Sequence, residues 1–222
     1  MKLINKLLPR QVMKYISVFE IFAFRYGHYV SLKTRKSLDN KHQPLPWYTY
    51  PAIEYLKQFD YRDKEVFEWG CGSSSLFWAG LAKKVTSVED NEDWYGEVYS
   101  IKRDNMVLLF KKERENYAKA IKLSACQYDI VVIDGKYRDE CARLALQVVR
   151  SDGWIILDNS DRYPLICRML RDAGFIQVDF CGFGPINGFT WATSVYMKAT
   201  CSFNRHSDKI TPIGGIENNN VL

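Results

Sequence analysis

Six consecutive residues, Glu68-Trp69-Gly70-Cys71-Gly72-Ser73, put an acid and two glycines at the end of the apolar run Glu65 to Glu68. A helical segment follows from Ser73. Glycine lets the backbone turn sharply and lets a ligand approach it closely. A turn between a strand's carboxyl end and a helix N-terminus is where open α/β sheets bind ligands, with backbone amides aimed at them. The next apolar run, Val85 to Glu89, closes on a second acid about twenty residues on. A carboxylate there can accept hydrogen bonds from both hydroxyls of a ribose. The chemistry this spacing offers is the holding of a nucleoside cofactor; the alternative is an ordinary strand–helix turn with a surface acid.

Two cofactor classes use such a turn: nicotinamide dinucleotides and S-adenosylmethionine. The dinucleotide fingerprint asks for Gly or Ala at its third position, where this chain has Ser75. Glu68 also fits poorly beside a pyrophosphate. An acid there suits a cationic ligand such as a sulfonium amino acid, because opposite charges attract.

A second constellation lies downstream. Asp134 ends the strongly apolar run from Tyr128, and Asp158-Asn159 ends the run from Trp154. Adjacent parallel strands bring such ends together. Arg138, Asp161 and Arg162 flank the same mouth and could hold a polar or anionic acceptor by charge-assisted bonds, or form surface ion pairs. His28, His42 and His206 fall outside it, so a histidine mechanism has little support. The six cysteines form no Cys-x-x-Cys pair, which argues against zinc or a disulfide framework.

The elements that must position these residues alternate. Strands are expected at Glu65 to Glu68, Val85 to Glu89, Met106 to Phe110, Tyr128 to Asp134, Trp154 to Asp158, Ile176 to Cys181 and Ala192 to Lys198. Helices are expected at Pro51 to Phe59, Ser73 to Ala82, Glu92 to Ile101, Arg138 to Val149 and Tyr163 to Ala173. Lys111 to Gln127 reads as a charged connection with a helical patch near Tyr117. Val/Ile-rich strands alternating with helices imply a doubly wound, mostly parallel seven-stranded sheet covered on both faces. The last two strands have no helix between them, only the glycine-rich link Gly182 to Trp191, so the last strand is expected to run antiparallel.

Before this domain, Val12, Tyr15, Ile16, Phe19, Phe22 and Tyr26 recur at helical spacing, so Arg10 to about Val30 is expected to be one amphipathic helix. Lys+Arg is 31 against Asp+Glu 26, a net of +5. Residues 1–40 alone hold Lys2, Lys6, Arg10, Lys14, Arg25, Lys33, Arg35 and Lys36 against Glu20 and Asp39, a net of +6. The rest of the chain is therefore near neutral, and nucleic acid is not an expected partner. The helix could pack on the domain or on a second copy of the chain, or its basic end could face an anionic membrane surface. Lys14, Glu20 and Arg25 interrupt the apolar stretch and make it a poor membrane span or signal core. A cytoplasmic location follows, with a peripheral position at the inner membrane surface as its variant. The expected division is 1–43 for the basic helix and linker, 44–201 for the α/β domain, and 202–222 for a polar, disordered tail.

Glu68 to Ser75 resembles the first motif of class I, Rossmann-like S-adenosylmethionine-dependent methyltransferases, an acid followed by Gly-x-Gly. Val85 to Asp90 resembles their ribose-binding strand. Tyr128 to Gly135 and Gly153 to Asn159 are similar to their fourth and fifth strands. Within that family the chain is similar to a small bacterial group with Ile133-Asp134-Gly135, then Arg138 to Cys141, then Leu157-Asp158-Asn159-Ser160-Asp161-Arg162. The resemblance spans about Trp47 to Thr200. It implies that Glu68 and Gly70 lie at the methionine end of S-adenosylmethionine, and that Cys71, Gly72 and Ser73 form the turn. It places Glu89 on the ribose, Asp90 near the adenosine, and Trp47, Tyr48 and Thr49 over the cofactor, the alternative for these three being an aromatic plug under the N-terminal helix. Metal-dependent members carry an Asp after the fourth strand and Asp-Asn after the fifth. The resemblance therefore raises Mg²⁺ on Asp134, Asp158 and Asn159, beside a metal-free role for Asp134 or Asp158 as base, or helix capping near Ser160. The activity it implies is methyl transfer, with a small polar acceptor such as a sugar or glycan unit favoured. A nicotinamide-dependent oxidoreductase and a non-catalytic interaction module on the same fold are the rivals.

Overall fold

The computed structural model describes residues 8–123 and 127–215. Lys2 and Lys6, one of the six cysteines (Cys126) and residues 216–222 of the expected tail lie outside them. The order of elements is α1 (Arg10–Glu20), α2 (His28–Thr34), α3 (Tyr50–Leu56), β1 (Glu65–Trp69), α4 (Ser73–Ala79), β2 (Lys84–Glu89), α5 (Glu92–Ser100), β3 (Met106–Phe110), α6 (Arg114–Ala118), β4 (Tyr128–Ile133), α7 (Arg138–Val148), β5 (Val149–Asp158), α8 (Pro164–Asp172), β6 (Ile176–Gly182) and β7 (Trp191–Met197). The seven strands form one sheet in the order β3-β2-β1-β4-β5-β7-β6. β1 to β5 pair in parallel, and β7 slots between β5 and β6 antiparallel to both.

The sheet is covered on both faces, which is why its central strands are apolar throughout. In β1, Val66 packs into the core beside α3 and α4, and the neighbouring Phe67 into the core beside α7 and α8. Period-two alternation then puts Glu68 on the α4 side and Trp69 on the other. β4 contributes Ile130, Val131, Val132 and Ile133, none of them measurably exposed. The chain reverses its strand order at β1, with β2 on one side and β4 on the other. The crevice above that point is where a doubly wound sheet accepts a ligand.

Two expectations need correcting. The N-terminal helix is not continuous to Val30: α1 passes into a π turn over Ile21–Arg25, and the chain breaks at Gly27 (φ 80°) before α2. A side chain at 27 would begin 2.4 Å from the Asn40 nitrogen, so the left-handed backbone and the tight crossing both need glycine. Hydrophobic periodicity runs through such a break unaltered and cannot report it. The polar tail is likewise docked as far as it is described. Phe203 lies 4.2 Å from Trp154 between ring centroids, the Asp60 N–H donates to the Asn204 carbonyl, and the His206 N–H donates to that of Gln58. One aromatic ring with an apolar seat outweighs the polarity of its neighbours. No helix among the described residues is long and apolar enough to cross a membrane.

Candidate functional site

At the carboxyl end of β1, Glu68 is fully buried. Its Oε2 accepts from the Ser75 hydroxyl at 2.5 Å and the Ser87 hydroxyl at 3.1 Å. Ser75 in turn accepts from the Gly72 N–H at 3.1 Å. Ser75, the residue that breaks the dinucleotide fingerprint, is thus the tie between the acid and the glycine loop. Ser87 faces Glu68 because the two are register partners on β2 and β1. Glu68 Oε1 is buried and meets no donor in good hydrogen-bond geometry among the described residues, though the Ser74 hydroxyl is near enough to act on the carboxyl. Burial pushes the Glu68 carboxyl up from 4.5 to about 7, against the serine hydroxyls that hold it down. Gly70 (φ 92°) runs so close to Gly135 that a side chain at 70 would begin 3.3 Å from the Gly135 Cα. This contact joins the β1 and β4 loops back to back.

Glu89 ends β2 and is also buried. Its Oε2 accepts from the Cys71 N–H at 3.1 Å, and its Oε1 from those of Asp90 at 3.0 Å and Asn91 at 2.9 Å. One carboxylate therefore fixes both the glycine loop and the turn into α5. Three residues that sequence reasoning missed close over this loop. Trp94, in the first turn of α5, donates its indole N–H to the Cys71 carbonyl at 2.5 Å, and its ring lies against Gly72. Tyr117, buried on α6, brings its hydroxyl to the face of Gly135. Lys136, after β4, pairs with Asp90, after β2, at 2.6 Å. Since β1 lies between those strands, the ion pair spans the crevice. None of these carries a local motif; only the strand order makes them neighbours.

The second constellation is organised by Arg138, at the start of α7. Its guanidinium donates to Asp134 Oδ1 at 3.0 Å, to the carbonyls of Asp134 (2.9 Å), Gly135 (2.9 Å) and Asp158, and to Asn159 Oδ1 at 3.3 Å. The donor set expected to coordinate Mg²⁺ thus surrounds a guanidinium, and no group of three His, Cys, Asp or Glu among the described residues could hold a metal. Asp134, Asp158 and Asn159 do not fit a metal centre: Arg138 puts a fixed positive charge on Asp134 Oδ1 and Asn159 Oδ1, and Asp158 Oδ1 is taken by Trp191 and Thr193. Arg138, expected to hold substrate, is 10% exposed and turns these donors inward, while it also lines the open groove that Arg162 borders.

Asp158 is buried, and its Oδ1 accepts from Trp191 Nε1 at 3.0 Å and the Thr193 hydroxyl at 2.6 Å. Burial raises its carboxyl to about 6 against those bonds. With that oxygen committed to β7, Asp158 is a strut rather than a free base. Asp134 differs. Its side chain is 21% exposed, its Oδ2 has no partner among the described residues, and burial followed by the charge of Asp158 pushes its pKa up against the pull of Arg138. Tyr48 reaches the same centre: it is fully buried, its hydroxyl meets no partner in good hydrogen-bond geometry among the described residues, and its pKa is raised by burial and then by Glu68, Asp134 and Asp158, against the pull of the nearby Trp78. It stays a donor. Trp47, by contrast, is exposed. Asp161 accepts from the Ala192 N–H at 3.0 Å and so anchors the start of β7. Arg162 is exposed and lines an open groove of about 610 Å³ with Lys136, Tyr137, Tyr163 and Leu165. Ser73 opens α4.

A buried acid with a raised pKa makes stability depend on pH. Between about 4.5 and 7 the native state binds the Glu68 proton and the unfolded state releases it, so stability falls as pH rises through that window. The total is roughly 3 kcal/mol. Urea denaturation of Glu68→Gln against the parent from pH 4.5 to 8 should show the two curves diverging, with the variant flatter. Parallel curves would remove the claim.

The sequence matches no protein-family model and no curated protein. Solved structures share the fold. The chain is similar to a precorrin-6y C5,15-methyltransferase from Geobacter metallireducens at 17% identity, covering 67% of this chain and 87% of that one, with a TM-score of 0.53. It is similar to a precorrin 8w decarboxylase from Methanobacterium thermoautotrophicum at 18% identity, 73% and 97% coverage and a TM-score of 0.50. A spermidine synthase from Thermotoga maritima gives 13% identity, 69% and 57% coverage and a TM-score of 0.50. The fold is the Rossmann-like fold found in methyltransferases. The three names differ, so the reaction must be argued from the site.

Proposed function

We propose that this chain is an S-adenosylmethionine-dependent methyltransferase that O-methylates a small polar acceptor, such as a sugar or glycan unit. The observation that carries the reading is the buried Glu68 carboxyl beneath the Gly70–Gly72 turn, whose Oε1 meets no donor in good hydrogen-bond geometry among the described residues. Leaving a buried acceptor unmade is costly, and a cationic ammonium or sulfonium group is the partner an acid in that place would take. Ser75 in the fingerprint position, hydrogen-bonded to that acid, fits this reading and argues against a pyrophosphate.

When bound, the cofactor supplies an electrophilic methyl group on sulfur, which keeps the bonding electron pair as the acceptor oxygen forms its bond to carbon. Glu68 and the Gly70–Gly72 loop would hold the amino-acid end, and the Glu89 and Asp90 segment the ribose side. Trp94 and the Lys136–Asp90 pair lie across that approach and must give way or stack on the nucleoside. Asp134 is the residue placed to take the acceptor's proton. Its raised pKa makes it a stronger base than a free carboxylate, and it is the carboxylate of the three that reaches solvent. Tyr48 can donate to the acceptor or cofactor from below. The protein's contribution is mainly position.

Calorimetric titration with S-adenosylhomocysteine and with NAD tests the cofactor. The homocysteine nucleoside should bind, and below pH 7 binding should release protons as the incoming ammonium lowers the Glu68 pKa. That release shows as a heat that varies with the buffer's ionisation enthalpy. Binding of NAD alone would overturn the reading. Labelled methyl transfer to a panel of sugars and glycans tests the acceptor.

A further inference from the structure

We infer that the N-terminal segment is a membrane-surface element that seats this protein on anionic lipid through α1 and the turn into α2. α1 contributes no buried residue to the domain. Val12, Tyr15, Ile16 and Phe19 recur on one face and are all exposed, Tyr15 at 77% and Phe19 at 63%. The apolar surface continues past the helix. Phe19 meets Phe24 edge-on at 6.2 Å, and Phe24 meets Tyr29 at 5.9 Å, both of the latter exposed. It also reaches the domain, since Phe22 contacts the exposed Phe183 at 5.2 Å. Scattered apolar side chains are normal on a surface, but a joined row of aromatics on a helix over which no described residue packs is an interaction site.

Charge chooses the occupant. Arg10, Lys14, Arg25, Lys33, Arg35 and Lys36 are exposed, and none makes an ion pair among the described residues; Glu20 is the one exposed acid among residues 8–39. Two copies packed through this face would bring like charges together, which disfavours a homodimer. A nucleic acid would satisfy the cations and leave Val12, Tyr15, Ile16 and Phe19 in water. An anionic bilayer takes both: its headgroups meet the basic side chains and its acyl boundary takes the aromatic face. The helix would lie in the interface, with Phe183 and the loop that follows β6 turned toward the lipid. This inference does not depend on the proposed reaction.

Co-sedimentation of the full chain with vesicles tests it, using phosphatidylcholine alone and phosphatidylcholine with about one-third phosphatidylglycerol. Binding is expected to the mixed vesicles only, and to weaken with salt. Lys14→Glu and Lys33→Glu should each lower it by more than fivefold, since losing one basic residue at such a surface already costs about that factor and the new acid adds repulsion. Tyr15→Ser with Phe19→Ser should abolish it with the thermal midpoint unchanged, since both side chains are already in water. No binding to the mixed vesicles overturns the proposal. So does a dimer by ultracentrifugation that Phe19→Ser dissolves, or a DNA or RNA affinity that the charge reversals remove while the serine pair leaves it intact.

Discussion

Glu89→Ala is expected to lower the affinity for S-adenosylhomocysteine at least a hundredfold while the sheet stays folded. The carboxylate accepts three backbone N–H groups, from Cys71, Asp90 and Asn91. Hydrogen bonds to a charged acceptor contribute about 1.5–3 kcal/mol each, and the N–H groups left behind lose more if they stay buried. Two such bonds already correspond to a hundredfold, at about 1.4 kcal/mol per factor of ten. The loss falls on the glycine loop and the start of α5, the two segments that must be in place before a nucleoside can lie between them, and not on the core. Calorimetry should therefore show the affinity collapse while the thermal midpoint falls by a few degrees. Glu89→Gln keeps one strong acceptor oxygen and should land between the two. Unchanged affinity in Glu89→Ala would mean that the β2 acid braces the loop without serving the ligand, and the ribose assignment would be lost.

Arg138→Met should be the most destabilising single change near the mouth, lowering the unfolding free energy by about 3–5 kcal/mol at pH 8. The guanidinium serves five acceptors at once and stacks 5.1 Å from the Tyr163 ring. Its removal leaves Asp134, partly buried, beside Asp158 with no neutralising charge. Arg138→Lys should recover little, because an ammonium cannot reach a fan of acceptors that a planar fork spans. The same arrangement fixes the expected answer on metal: Mg²⁺ should leave the thermal midpoint of the parent protein unchanged. A rise in midpoint with Mg²⁺ that disappears in Asp134→Asn would show that the arginine yields to the ion, and the electrostatic account of this mouth would have to be rewritten.

The consequence for mechanism is that the positive charge at the ends of β4 and β5 is covalently part of the chain. It cannot be chelated away, so its downward pull on Asp134 and Asp158 is constant. Burial works the other way and raises both. A base that must hold a proton briefly is well placed between such opposing effects.

The sequence by itself determined the sheet, its two covered faces, the positions of Glu68 and Glu89 at adjacent strand ends, and the antiparallel last strand. Those properties follow from periodicity, from glycine at a turn and from the absence of a helix between the last two strands, all of which are local. What the tertiary structure alone decided is which side chain meets which. Ser75 and Ser87 converge on Glu68 through strand register, Trp94 and Tyr117 close over the glycines, Gly27 breaks the first helix where another strand of chain crosses it, and Phe203 pins the tail on Trp154. The choice between arginine and metal at Asp134 shows the reason most clearly. Acidic residues at two strand ends invite any cation, and only the path of α7 puts one of the chain's own there first.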